Sequence, residues 1–306
     1  MMTTFHGIVP PLLTPRTGHG DLDLAGLASL VEHLIRGGVH GVFALGSSGE
    51  TPYLTAAERD DVLRATVEAV AGRVPVMVGL NEQTTRRVLE EADRALAIGG
   101  DAAVVTTPYY ALSDSPEIEH HFRAVADHVD VPVFAYDIPV RTHQKLPLDV
   151  AIRLAQEGVL AGVKDSSGDD ISFRQLLLDT KDLAGFAAFT GHEVVADGAL
   201  LGGAAGVVPG LGNVDPAGYV RMYDAARAGD WASAASEQDR LARLFRIVLA
   251  ATPGRVSAGA AGLGGFKTAL QLMGILDSNR MAEPMVQLDE SERTTVRTVL
   301  EAEGLL

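Results

Sequence analysis

Apolar residues in this chain gather into short runs without polar alternation, separated by longer stretches where they recur every three or four positions. Eight runs stand out: His6 to Pro10, Gly41 to Leu45, Val74 to Gly79, Ala102 to Thr106, Val131 to Tyr136, Leu160 to Lys164, Phe186 to Thr190 and Ala205 to Val208. A strand covered on both faces has no solvent side and loses the alternation of a half-exposed one, so these runs read as parallel strands packed under helices. Between them, Leu24, Leu27, Val31, Leu34 and Ile35 mark one helical face, with Asp23 as N-cap and Gly37-Gly38 as the stop. Thr55 with Glu58 has capping-box spacing, and Ser115-Pro116 and Asp215-Pro216 each pair a cap residue with proline at the first helical position. Eight such units within about 225 residues predict an α/β protein of the (β/α)₈ TIM-barrel type. An open doubly wound sheet has fewer strands and a switch point.

After Asn213 the strands stop. Helices are expected over Pro216 to Ala228, Trp231 to Ala250, Phe266 to Leu276 and Glu290 to Glu303, giving a catalytic barrel of residues 1–226 and a small helical C-terminal domain of residues 227–306. The glycine-rich stretch from Ala251 to Gly265 reads as a plain connector, because it lacks the GK[ST] ending of a phosphate loop and follows no strand.

Composition then removes whole classes of partner. A formal net charge of −15 disfavours nucleic acid and anionic membrane surfaces, which are bound mainly through Lys and Arg. With no cysteine there is no disulfide framework, thiolate nucleophile or Cys-ligated metal. The opening MMTTFHGIVPPLLTP has no basic region or long apolar stretch, and no run approaches the roughly 18 apolar residues of a membrane span. A cytoplasmic protein is expected.

In a barrel of this kind the chemistry sits at the C-terminal ends of the strands. Lysine is scarce: only Lys145, Lys164, Lys181 and Lys267 occur, leaving 21 of the 25 basic residues as arginine, and only Lys164 ends a strand. Loss of water there favours the neutral amine that attacks a ketone. The alternatives are a side chain that snorkels out of the barrel mouth or one that pairs with Asp165. Tyr136 ends the preceding strand, where a phenol either relays protons or simply packs its ring. Ser47 and Ser48, between Gly46 and Gly49, put two hydroxyls and free amides into one turn suited to a carboxylate, although a Gly/Ser turn alone is a weak signal. A metal-dependent aldolase or hydrolase needs several ligands at strand ends, and of the histidines only His192 lies near one, so no metal or other cofactor is expected.

Four segments together resemble a known family: GSSGE at 46–50, TTPYY at 106–110, YDIP at 136–139 and GVKDSSGD at 162–169. In order and spacing, over essentially the whole chain, they are similar to the signatures of the dihydrodipicolinate synthase and N-acetylneuraminate lyase family of pyruvate-dependent class I aldolases. The resemblance implies an imine between pyruvate and Lys164, with Tyr136 as catalytic acid/base. It implies a proton relay through Ser47 and a Tyr110 reaching in from a neighbouring subunit, hence a homotetramer. Ser48, Gly49, Gly191 and the backbone at Val208 are assigned to substrate binding. Arg141 matches the arginine that dihydrodipicolinate synthases place near the second substrate's carboxylate; the alternative is a solvent-facing loop arginine. Glu193 retains one acidic residue where sialic acid lyases present an adjacent pair, and its neighbour here is Val194. Gly210 stands where those lyases place a serine, and Asp137 replaces the asparagine usual after the tyrosine. The second substrate implied is a small aldehyde or 2-keto acid. The reaction expected is that of a 4-hydroxy-tetrahydrodipicolinate synthase or a short 2-keto-3-deoxy acid aldolase. The serine-rich motifs leave N-acetylneuraminate lyase as an alternative, and a non-catalytic ligand-binding barrel is a further one.

Overall fold

A computed structural model describes residues 5–306; residues 1–4, where the expected barrel unit and the opening segment begin, lie outside the described residues. Strands and helices alternate along the chain: β1 (Gly7–Ile8), α1 (Leu24–Arg36), β2 (Val42–Ala44), α2 (Ala56–Val70), β3 (Val76–Gly79), α3 (Thr85–Ile98), β4 (Ala102–Thr106) and α4 (Ser115–His128). They continue as β5 (Val133–Asp137), α5 (Pro139–Thr142), α6 (Leu148–Gln156), β6 (Gly162–Asp165), α7 (Asp170–Thr180), β7 (Ala187–Thr190), α8 (Ala196–Leu201), β8 (Gly206–Val207) and α9 (Pro216–Arg227). The remaining helices are α10 (Trp231–Leu244), α11 (Ala258–Leu272) and α12 (Glu290–Ala302).

The strands pair in parallel in the order β1-β8-β7-β6-β5-β4-β3-β2, and a parallel bridge between Pro11 and Phe43 joins the two ends. The result is a (β/α)₈ barrel with additional C-terminal helices. The first and last strands are shorter than their apolar runs, because Pro10, Pro11 and Pro209 at the mouth have no N–H to give a ladder. Asp23, Thr55 and Asp215 cap α1, α2 and α9 as expected. At α4 the cap is Asp114, not Ser115: Asp114 and Glu117 form the capping box, which places Pro116 one residue deeper in the first turn.

Alternate residues along each strand enter two different cores. Outward residues such as Val42, Ala44, Val78, Val105 and Val163 pack under the helices. Inward residues, among them Phe43, Met77, Val104, Phe134, Tyr136 and Phe189, fill the barrel. Both sets are apolar, and that is why the strands read as continuous runs. Inside, large rings require small neighbours: a Cβ on Gly162 would run into the Phe134 ring and the Ala187 carbonyl. Gly162 and Lys164 are two apart and share the inward face, so Phe134, in register with Gly162, lies one step below the lysine, while Phe189 is in register with the lysine itself.

The glycine-rich connector expected over 251–265 is a correction, since α11 starts at Ala258 and contains most of those glycines. Ser257 caps it by accepting from the Ala260 amide. Glycine costs intrinsic helix propensity, but this helix is largely buried, and a Cβ on Gly265 would stand 2.6 Å from the Ile247 carbonyl oxygen. Close approach of a neighbouring backbone accounts for glycine at 265, and a reading based on local propensity mistakes the stretch for a loop.

The Gly162 contact yields a stability prediction. Gly162→Ala overpacks the barrel interior and lowers unfolding free energy in urea by about 1–3 kcal/mol, with activity falling because the strand carrying Lys164 must shift. Unchanged stability and activity would show that the interior has slack at this level.

Candidate active site

β5 and β6 pair so that Tyr136 stands opposite Lys164. Both side chains therefore enter the barrel at one level. The Lys164 Nζ lies over the Tyr136 ring, 3.6 Å from its centroid, and donates to Ser166 Oγ at 3.0 Å. Only 4% of the lysine is exposed. The Tyr136 hydroxyl is 3.0 Å from Ser47 Oγ, on the tight turn that follows β2. The Lys164 amine on the Tyr136 ring, and the Tyr136 hydroxyl beside Ser47, thus bring an amine, a phenol and a serine hydroxyl together at the barrel mouth.

The amine does not pair with Asp165, nor does it snorkel to solvent. Asp165 accepts from the Ser167 amide and hydroxyl, both at 2.8 Å, and lies 3.8 Å from Lys145. Burial pushes Asp165 above the usual carboxylate range, and the nearby Asp137 charge adds to this while the Ser167 bonds oppose it. Asp137, the residue that departs from the familiar asparagine, is answered by a direct ion pair with Lys145 and by the Leu146 amide at 3.0 Å. The second lysine neutralises the substitution locally.

Ser166 was not singled out from the sequence. Its signal was the strand period, since a residue two beyond Lys164 faces the same way. Gly191 stands against it: a Cβ at 191 would collide with Ser166 Oγ, so Gly191 makes room for the hydroxyl that holds the amine. In the Ser47 turn, the amides of Gly49 and Glu50 are taken by the carbonyls of Gly46 and Ser47, which leaves those of Ser47 and Ser48 for a carboxylate. The Gly49 carbonyl accepts from Thr14. The Val208 amide is spent on the Thr190 carbonyl, leaving Val208 only its own carbonyl to offer.

A cavity of about 280 Å³ opens beside Ser47 and Tyr136. Ser47, Asn81, Tyr136 and Arg141 line it from the barrel side, and Ser257, Leu263 and Met285 from the C-terminal segment. Lys164 does not line it; the Tyr136 ring lies between. Arg141 is exposed on α5, a short helix, and its guanidinium rests against Gly259 of α11. Asn81 Oδ1 and Thr106 Oγ1, both on the wall, are buried without a hydrogen-bond partner. Tyr109, also on the wall, was passed over in favour of its neighbour. Tyr110 is 91% exposed in the left-handed region at φ 75 and takes no part in the Ser47–Tyr136 contact of its own chain.

Lys267 and Glu193 both find partners within the chain. Lys267 is fully buried and paired with Glu50, and burial holds its amine below the ordinary lysine value against the opposing pull of that carboxylate. Glu193 accepts from the Leu211 amide at 2.8 Å, and its main-chain carbonyl accepts from Gln238 and Tyr219. Loss of water pushes Glu193 up to about 7, with the amides of Leu211 and Gly210 and the charge of Lys164 pulling it down. His192 bonds to Asp170 at 3.1 Å, and among the described residues no three His, Asp or Glu side chains gather as a metal-ligand set.

The model of the Dihydrodipicolinate synthetase family matches residues 4–303. The chain belongs to the dihydrodipicolinate synthetase family. This family member is an enzyme of the lyase or synthase kind. It is 35% identical over 303 residues to a 4-hydroxy-tetrahydrodipicolinate synthase of Methanoculleus marisnigri, covering 98% of this chain and 100% of the relative. It is 36% identical to an uncharacterized DapA-like lyase of Halobacterium salinarum, covering 98% of this chain and 95% of that one. Among solved structures it is similar to YagE, an E. coli K12 prophage protein of the dihydrodipicolinic acid synthase family in complex with pyruvate. The TM-score is 0.91 at 31% identity, covering 99% of this chain and 100% of that one.

The Glu193 environment predicts a pH dependence. Its folded value, about 7, lies above the ordinary 4.5, so the proton it holds stabilises the fold fully below about 4.5, and that contribution is lost as pH rises through about 7. Glu193→Gln removes the titration. The difference in Tm between variant and wild type shifts in the variant's favour from pH 4.5 to pH 8, on top of a constant loss from the altered amide contacts. A difference independent of pH would contradict the shift.

Proposed function

We propose that this family member forms an imine between Lys164 and pyruvate and uses it to make or break a carbon–carbon bond with a compact aldehyde partner. The observation that carries this reading is the buried Lys164 amine against Tyr136, whose hydroxyl meets Ser47. The amine attacks the ketone carbon, water leaves, and the resulting iminium draws electrons from the adjacent methyl group. Loss of a methyl proton gives an enamine that attacks the aldehyde carbon; the reverse sequence cleaves the bond. The Tyr136 phenol, coupled to Ser47, moves the protons on and off the oxygen atoms involved. To reach the ketone the lysine must leave the Tyr136 ring and the Ser166 hydroxyl, which then receives it again after release. The amides of Ser47 and Ser48 point to the pyruvate carboxylate as their ligand.

The relative of Methanoculleus marisnigri and the pyruvate complex of YagE support this assignment of substrate and reaction. The second partner is read from the cavity. Its volume of about 280 Å³ is at or below the roughly 300–1,000 Å³ of sites for larger ligands. Arg141 on its wall suits a carboxylate or a hydroxyl next to one, through charge-assisted bonds worth about 1.5–3 kcal/mol. Glu193 is committed to the Leu211 amide, so it is a poor acceptor for a polyol tail. Aspartate-semialdehyde condensation, or cleavage of a short 2-keto-3-deoxy acid, fits better than sialic acid cleavage.

Borohydride reduction in the presence of pyruvate adds one reduced pyruvate per chain, and peptide mass mapping finds it on Lys164. Labelling of Lys145, Lys181 or Lys267, or of none, rejects the imine.

For the partner, we expect Arg141→Ala to raise KM for the second substrate by about 10- to 100-fold while pyruvate trapping is unchanged. The measurement is kcat/KM for aspartate semialdehyde, short 2-keto-3-deoxy acids and sialic acid on wild type and variant. Preference for sialic acid, insensitive to Arg141→Ala, would replace this substrate class with the lyase one.

A further inference from the structure

The turn that carries Ser47 is held from outside the barrel. Leu45 and Glu50, on either side of Ser47–Gly49, both lie in the left-handed region at φ 57 and φ 58. Residues other than glycine keep such angles only where surrounding contacts over-determine them. Two of those contacts come from the barrel side: Thr51 Oγ1 donates to the Gly46 carbonyl at 2.8 Å, and Thr14 Oγ1 to the Gly49 carbonyl at 2.7 Å. The third is different in kind. Glu50 is fully buried, one carboxylate oxygen pairs with Lys267 of α11, and the other accepts from the Ala282 amide at 2.8 Å. Lys267, equally buried, also donates to the Arg280 carbonyl at 3.0 Å. The C-terminal segment thus grips the turn through a two-pronged carboxylate and an ammonium that is itself tied down.

Burying an ion pair costs desolvation of both charges, and replacement by apolar groups of the same size is often neutral or stabilising. Stability alone is therefore a weak reason for a charge pair here, whereas fixed geometry is a strong one. Glu50 is three residues from Ser47, so the register of the turn relative to Tyr136 depends on where the carboxylate is anchored.

We propose that Glu50 and Lys267 are a positioning pair for the reaction: the C-terminal helix α11 sets the Ser47 hydroxyl at hydrogen-bonding distance from Tyr136. The inference rests on the relay reading of Ser47 and Tyr136 given above. Neither residue of the pair touches substrate. α11 also backs Arg141 through Gly259, so one helix fixes both the relay and the rim of the cavity.

The test is a double-mutant cycle in the full-length enzyme. Glu50→Gln/Lys267→Met leaves no unpaired buried charge and keeps an acceptor for the Ala282 amide; it is made with Ser47 intact and with Ser47→Ala. Rates are measured with the substrate of highest kcat/KM in the panel above, and Tm is recorded alongside. With Ser47 intact, kcat falls on the order of 10²-fold, the scale of an ångström-sized misplacement. With Ser47→Ala, the same two substitutions change kcat less than about threefold, because the group they position is gone. Equal losses in both backgrounds would mean that the pair supports the fold only, and would overturn the inference. A Ser47→Ala variant as fast as wild type would instead remove the relay reading, and this inference with it. If the neutral pair fails to fold, Lys267→Arg carries the same cycle with the charge retained and the geometry changed, judged by the same two outcomes.

Discussion

An amine in the dry interior of a barrel needs polar contacts that do not reopen the interior to water, and the structure is arranged around that requirement. Lys164 rests on the Tyr136 ring and donates to Ser166, with Phe189 in register beside it on β7 and the Phe43 ring 5.7 Å from its Nζ. An aromatic face receives an amino group while remaining an apolar neighbour to the rest of the core, so one surface serves both the packed barrel and the polar tip. Gly162 and Gly191 follow from the same requirement, one allowing the aromatic ring below and the other the serine above. The lysine's surroundings are thus a packing solution extending from the Phe134 level to the β7 loop.

Charge around the amine is handled in compartments. Asp137 and Asp165 lie at the ends of the two strands that carry Tyr136 and Lys164, yet neither takes the reactive amine. Lys145 and the Ser167 hydroxyl and amide satisfy them instead. The second lysine leaves the Lys164 amine without a carboxylate partner. Of the four lysines, Lys145 and Lys267 pair with the buried carboxylates of Asp137 and Glu50, Lys164 stays apart from them, and Lys181 lies at the exposed end of α7.

The C-terminal helices do more than cover the barrel. α11 packs so closely on the segment around Ile247 that position 265 calls for glycine, and from that position the helix supplies Lys267 to the Ser47 turn and Leu263 to the cavity wall. The cavity wall and the Ser47 turn thus both draw on a unit that contributes no strand.

Local periodicity determined much of this protein. Eight continuous apolar runs identify parallel strands, because residues at spacing two enter one core and their neighbours the other; Asp23, Thr55 and Asp215 mark helix starts because capping is satisfied within four residues. Lys164, Tyr136 and Ser47 were legible because strand ends in such a barrel converge on one mouth. What the sequence left open was decided by surfaces that meet only on folding. The glycine-rich stretch is mostly helix, packed on the Ile247 segment where a Cβ at 265 would stand 2.6 Å from a backbone oxygen. The partners of Asp137 and Glu50 are 8 and more than 200 residues away, and Glu193 accepts from the Leu211 amide in the segment after β8. Ion pairs and close contacts of this kind have no period along the chain, and for that reason only the tertiary structure could assign them.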